Sequence, residues 1–86
     1  MSDESIESRL KRYIEEAKNG EIGFEADELR GKHLINDLAM DSLDIINMLF
    51  QIEENEGVDI SEEEMESESL FEFSRLADYV EEQSEE

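Results

Sequence analysis

Residues 41–54 read Asp-Ser-Leu-Asp-Ile-Ile-Asn-Met-Leu-Phe-Gln-Ile-Glu-Glu, with neither proline nor glycine. The apolar residues recur at helical spacing, which predicts a helix opening at Ser42. On a wheel of about 100° per residue they fall into two stripes, not one. Ile45, Met48, Leu49 and Ile52 form the first. Leu43, Ile46 and Phe50 form the second, roughly a third of a turn away. Asp44, Asn47, Gln51 and Glu54 fill the polar sector. A surface helix needs only one stripe to reach its core. The second must be covered by another part of the chain or left for a partner, so this helix constrains everything else.

The rest of the sequence supplies helices to pack against it. Ile6, Leu10, Tyr13, Ile14 and Ala17 recur as an amphipathic helix stopped by Asn19-Gly20, with Gly23 extending the break. Residues 19–40 form a long connection. Its apolar anchors Ile22, Phe24, Leu29, Leu34, Ile35 and Leu38 predict a loop pinned across the helices, with a helical turn near residues 27–30. Gly57 is a C-terminal stop for the Ser42 helix. Val58-Asp59-Ile60 is apolar enough to plug the core. Ser61-Glu62-Glu63-Glu64 has the form of a capping box opening a brief helix through Met65. Ser69-Leu70-Phe71-Glu72 has the same form and predicts the start of a last helix, with Phe73, Leu76, Ala77 and Val80 inward. The expected fold is all-α: a small four-helix bundle, three longer helices plus one short helix, with a long first loop. One domain spans residues 1–86, with 1–4 and 81–86 frayed or disordered.

Charge narrows the function. The formal net charge is −20 with 37% hydrophobic residues, so self-repulsion loosens the compact state and salt is expected to stabilise it. Nucleic-acid binding through phosphate contacts is excluded on charge. No apolar run approaches a membrane span and the start is acidic, unlike a signal peptide, so the expectation is a cytoplasmic monomer without membrane insertion. Six of the seven basic residues precede His33, and none lies between His33 and Ser74. That asymmetry fits a solvated acidic surface or an electrostatic docking face for basic partners.

Catalysis by the chain itself is not expected. Taken alone, Ser42 is a helix N-cap. A nucleophilic serine needs a base beside it, and the one histidine, His33, lies nine positions away in a loop, where a lone histidine is usually a surface residue. No Gly-x-Ser-x-Gly elbow surrounds Ser42, and the chain has no cysteine. Asp37, Asp41 and Asp44 do not follow calcium-loop spacing: positions 6 and 12 counted from Asp37 hold Ser42 and Met48. No built metal site is expected.

Residues 37–44, Asp-Leu-Ala-Met-Asp-Ser-Leu-Asp, resemble the modification site of acyl carrier proteins, which show Asp-Ser-Leu at the start of their second helix. The resemblance extends over most of the chain. Residues 6–17 are similar to the family's first helix and 34–38 to the end of its long loop. Residues 58–60 are similar to the apolar segment before its third helix, and 77–80 to the close of its last. It implies that Ser42 carries covalent 4'-phosphopantetheine drawn from coenzyme A by a phosphopantetheinyl transferase. The end of that arm would supply the thiol the chain lacks and hold acyl groups as thioesters. The protein would then be no enzyme but a carrier serving fatty acid, lipid or polyketide biosynthesis. By the same resemblance, acyl-processing enzymes with basic docking patches would grip Leu43, Ile46 and Phe50 inside an acidic ring of Asp41, Asp44, Glu53 and Glu54. Leu38, Leu49, Ile52, Ile60, Met65 and Leu70 are candidates to line an acyl pocket, or are ordinary core. A phosphodiester on Ser42 would lie at a helix N-terminus, which favours an anion. Asp41 could cap the helix in the serine's place.

Two positions depart from the family pattern: Ala39 stands where glycine is common, and Asn47 where an acid is common. They leave specialised carriers open, including an aminoacyl or peptidyl carrier. A reading of another class is an unmodified acidic interaction module or inhibitor.

Overall fold

The computed structural model describes residues 5–66 and 68–84. Among them four α-helices appear: α1 (Ile6–Lys18), α2 (Ser42–Glu56), α3 (Glu62–Glu66) and α4 (Phe73–Ser84). Two 3₁₀ turns, Ala26–Glu28 and Glu68–Phe71, punctuate the connections. The all-helical expectation holds, with three long helices and one short.

Local chemistry sets most boundaries. Ser5 caps α1 by accepting the Ser8 N–H at 3.2 Å. Asn19 ends it in the left-handed conformation, φ 64°, which asparagine tolerates better than most residues. Gly57 ends α2 in the same conformation, φ 71°. Ser61 Oγ accepts the Glu64 N–H at 3.2 Å and opens α3.

The start of α4 is a correction. The capping box at Ser69 was expected to open it, but α4 begins at Phe73 and Ser69 lies in a 3₁₀ turn. The cause is non-local. Leu34 N–H donates to the Phe71 carbonyl at 2.7 Å, and Phe73 N–H donates to the Lys32 carbonyl at 3.0 Å. These backbone groups would otherwise propagate a helix from Ser69. They form instead an isolated antiparallel bridge between His33 and Glu72. At its other end α4 continues through Ser84, so residues 81–84 are helical where a disordered tail was expected. The rest of that tail, 85–86, and the expected frayed start, 1–4, lie outside the described residues.

Among the described residues the core is built from hydrophobic side chains. Leu10, Tyr13 and Ile14 of α1 meet Ile45, Met48, Leu49 and Ile52 of α2 and Phe73, Leu76, Ala77 and Val80 of α4. The long connection is part of that core: Leu29, Leu34, Leu38 and Met40 are buried, and Ile22, Phe24 and Ile35 pack on its margin. Val58 and Ile60 are buried in it, as expected. Arg30 pins the connection from outside. Its Nε donates to Glu7 at 2.7 Å and its Nη1 to Asp78 at 3.2 Å, bridging α1 and α4. No helix among the described residues is long and apolar enough to cross a membrane.

Candidate modification and docking site

The N-terminus of α2 is built by Asp41, not by Ser42. Asp41 Oδ1 accepts the Asp44 N–H at 2.8 Å, and Asp44 Oδ2 accepts the Asp41 N–H at 3.3 Å. This reciprocal box satisfies two backbone donors that a helix end leaves open. Ser42 is thereby released from capping. It is exposed at the first helical position, and among the described residues nothing hydrogen-bonds its hydroxyl. The reading of Ser42 as an N-cap is set aside.

The approach to this serine is tightly turned. Asp37 and Leu38 N–H groups donate to the His33 carbonyl at 2.8 and 3.1 Å, Ala39 N–H to Ile35 O at 3.1 Å, and Met40 N–H to Leu34 O at 3.0 Å. Ala39 sits at φ 59°. That is a glycine conformation occupied by alanine, at the position where the family commonly has glycine. Met40, which follows, is buried to 2% exposure and anchors the segment from beneath. Sequence reasoning missed Met40 because it falls between two helical patterns and belongs to neither.

The two stripes of α2 separate cleanly. Ile45, Met48, Leu49 and Ile52 are buried, whereas Leu43, Ile46 and Phe50 are 65%, 39% and 54% exposed. The long connection does not cover the second stripe. Around it Asp41 and Glu54 are exposed and Asp44 is half-buried. Glu53 differs: its Oε2 accepts the Ile60 N–H at 2.9 Å, so this carboxylate holds the segment after α2 in place. Asn47 leaves a neutral gap in the ring. Leu38, Leu49, Ile52, Ile60 and Leu70 lie together in the core, with Met65 half-buried at its edge. Among the described residues no cluster of histidine, cysteine or carboxylate could hold a metal ion.

Two further groups were not legible. Glu56 Oε2 accepts from Arg9 Nε at 2.8 Å and from the Tyr13 hydroxyl at 2.6 Å, tying α1 to the last turn of α2. Burial, followed by the hydrogen bond and the charge of Glu56, pushes the Tyr13 hydroxyl up to about 12. A tyrosine on a buried stripe signals that some partner exists, but not which one. His33, expected at the surface, is half-buried, with its ring edge-on to Phe71 at 6.4 Å.

No family model matches the chain, and no solved structure matches it. A curated acyl carrier protein from Akkermansia muciniphila is 34% identical over 67 residues, which is 77% of this chain and 79% of that protein. With that similarity over the greater part of both chains, and with the all-helical fold, the chain belongs to the acyl carrier protein family.

Proposed function

We propose that this chain is a carrier whose Ser42 accepts 4'-phosphopantetheine from coenzyme A through a phosphopantetheinyl transferase. The observation that carries the reading is the free hydroxyl at the first position of α2, with capping delegated to Asp41. The residues fit the group: the oxygen is accessible, and the helix end favours the phosphate anion that modification places there. When attached, the arm supplies the thiol that holds acyl cargo as a thioester, a group the chain lacks because it has no cysteine.

Partner recognition falls to Leu43, Ile46 and Phe50, an exposed apolar patch rimmed by Asp41, Asp44 and Glu54. Such a patch buried against a basic partner gives a brief, salt-sensitive encounter. Glu53 adds charge to the rim, but its carboxylate is committed to Ile60. Leu38, Leu49, Ile52, Ile60, Met65 and Leu70 are where an acyl chain would be sheltered, between α2 and the segments that follow it. The neutral Asn47 thins the acidic rim and favours partners less dependent on charge there, which fits a specialised carrier.

Intact mass after incubation with coenzyme A and a broad-specificity transferase tests the assignment. The chain should gain one phosphopantetheine group and Ser42→Ala should gain none. An unchanged mass for the wild-type chain, or a gain that survives Ser42→Ala, overturns it.

A further inference from the structure

We propose that neutral His33 is a pH-responsive positioning residue for the turn that presents Ser42. The N–H groups of Ile35 and Asn36 donate to His33 Nδ1 at 3.1 and 3.2 Å. An imidazole nitrogen accepts only while it carries no proton, so the ring is neutral with its hydrogen on Nε2. Closing a turn by accepting backbone N–H groups two and three residues on is ordinarily the work of Ser, Thr, Asp or Asn. Their oxygens keep accepting throughout the pH range in which histidine gains a charge.

The rest of the turn closes on the same residue. His33 N–H donates to Asp37 Oδ2 at 2.7 Å, and the His33 carbonyl accepts from Asp37 and Leu38. Ile35, whose N–H the ring holds, offers its carbonyl to Ala39, and Ala39 is the residue held at φ 59° two positions before the Asp41 cap. A protonated ring must release both N–H groups at the head of this chain of bonds. The turn and the bridge place charged side chains around the ring. Asp37 lies in its own turn, and Glu72 faces it across the bridge. Lys32 precedes it in the chain, and Arg75 lies 3.7 Å from Glu72. The release of Ile35 and Asn36 stands on geometry alone; the consequence for Ser42 rests on the carrier reading.

Nitrogen-15 spectra and amide exchange of the full chain test it. At pH about 7.5 the imidazole should show the Nε2–H tautomer. Between pH about 7.5 and 5.5 the protection factors of Ile35 and Asn36 should fall about tenfold or more as the ring titrates, while those of Leu76 and Val80 in α4 hold. In His33→Asn, whose side chain accepts without titrating, the two amides should keep their protection over the same range. An Nδ1–H tautomer at neutral pH, protection that ignores the imidazole titration, or an equal fall in His33→Asn would each overturn the proposal. Failure of Ser42 to accept phosphopantetheine would overturn the carrier reading and leave these amide results intact.

Discussion

Replacing Ala39 with glycine removes a conformational cost without removing a contact. Alanine at φ 59° holds its Cβ against the following carbonyl, at about 1 to 2 kcal/mol. Glycine adopts the same φ freely but widens the unfolded ensemble, which takes back about 0.4 to 1 kcal/mol. The side chain lost is a single exposed methyl. The net expectation for Ala39→Gly is about 0.5 to 1 kcal/mol of added stability. In a domain of this size that raises Tm by about 2 to 8 °C. Gly57 supplies the mirror experiment. It caps α2 at φ 71°, and a Cβ built there meets nothing within 4 Å. Gly57→Ala therefore carries the same conformational cost with opposite sign, and Tm should fall by a similar amount. Thermal melts followed by far-ultraviolet circular dichroism, with urea titrations to confirm an unchanged m-value, measure both. If Ala39→Gly leaves Tm unmoved or lowers it while Gly57→Ala behaves as stated, the argument from backbone strain at Ala39 is wrong.

Glu56→Ala should cost about 2 kcal/mol in urea denaturation, because it takes the acceptor from the Tyr13 hydroxyl and breaks the Arg9 ion pair that ties α1 to α2. Tyr13→Phe, which leaves Glu56 its arginine, should cost about half that, and the double variant should show coupling between the two sites. In alkali, the folded state holds the Tyr13 proton more tightly than the unfolded state does. The stabilisation is intact below pH 10 and is lost as pH rises through about 12. Phenolate absorbance should therefore appear together with unfolding, and ionisation of Tyr13 near pH 10 in an intact fold would contradict this. In acid, the Arg30 guanidinium holds the Glu7 carboxyl below its ordinary 4.5. The stability from that pair is present above 4.5 and fades as pH falls through the lower folded value. With Arg30 37% exposed it is screened to under about 1 kcal/mol, visible as a smaller acid-side loss of Tm in Arg30→Ala. Phe50→Ala and Leu43→Ala remove exposed side chains. They should shift stability by no more than about 0.5 kcal/mol while slowing transferase loading, and a collapse of the fold would show the patch to be structural.

The amino-acid sequence alone determined the features that act within about one helical turn. The buried stripe of α2, the amphipathic face of α1, the stops at Asn19 and Gly57 and the opening of α3 at Ser61 all follow from periodicity and capping, which couple residues three or four apart. The possibility that Asp41 caps α2 in place of Ser42 was legible for the same reason. Tertiary structure decided what depends on segments far apart in the chain. It left Leu43, Ile46 and Phe50 uncovered because the first loop sends its anchors to the other side of α2. It moved the start of α4 to Phe73, because Lys32 and Leu34 take the backbone groups a longer helix would need. It gave Glu53 to Ile60, Glu56 to Tyr13 and Arg9, and two backbone amides to His33. A polar side chain's partner is whichever complementary group packing brings within about 3 Å, and no local pattern records which group that will be.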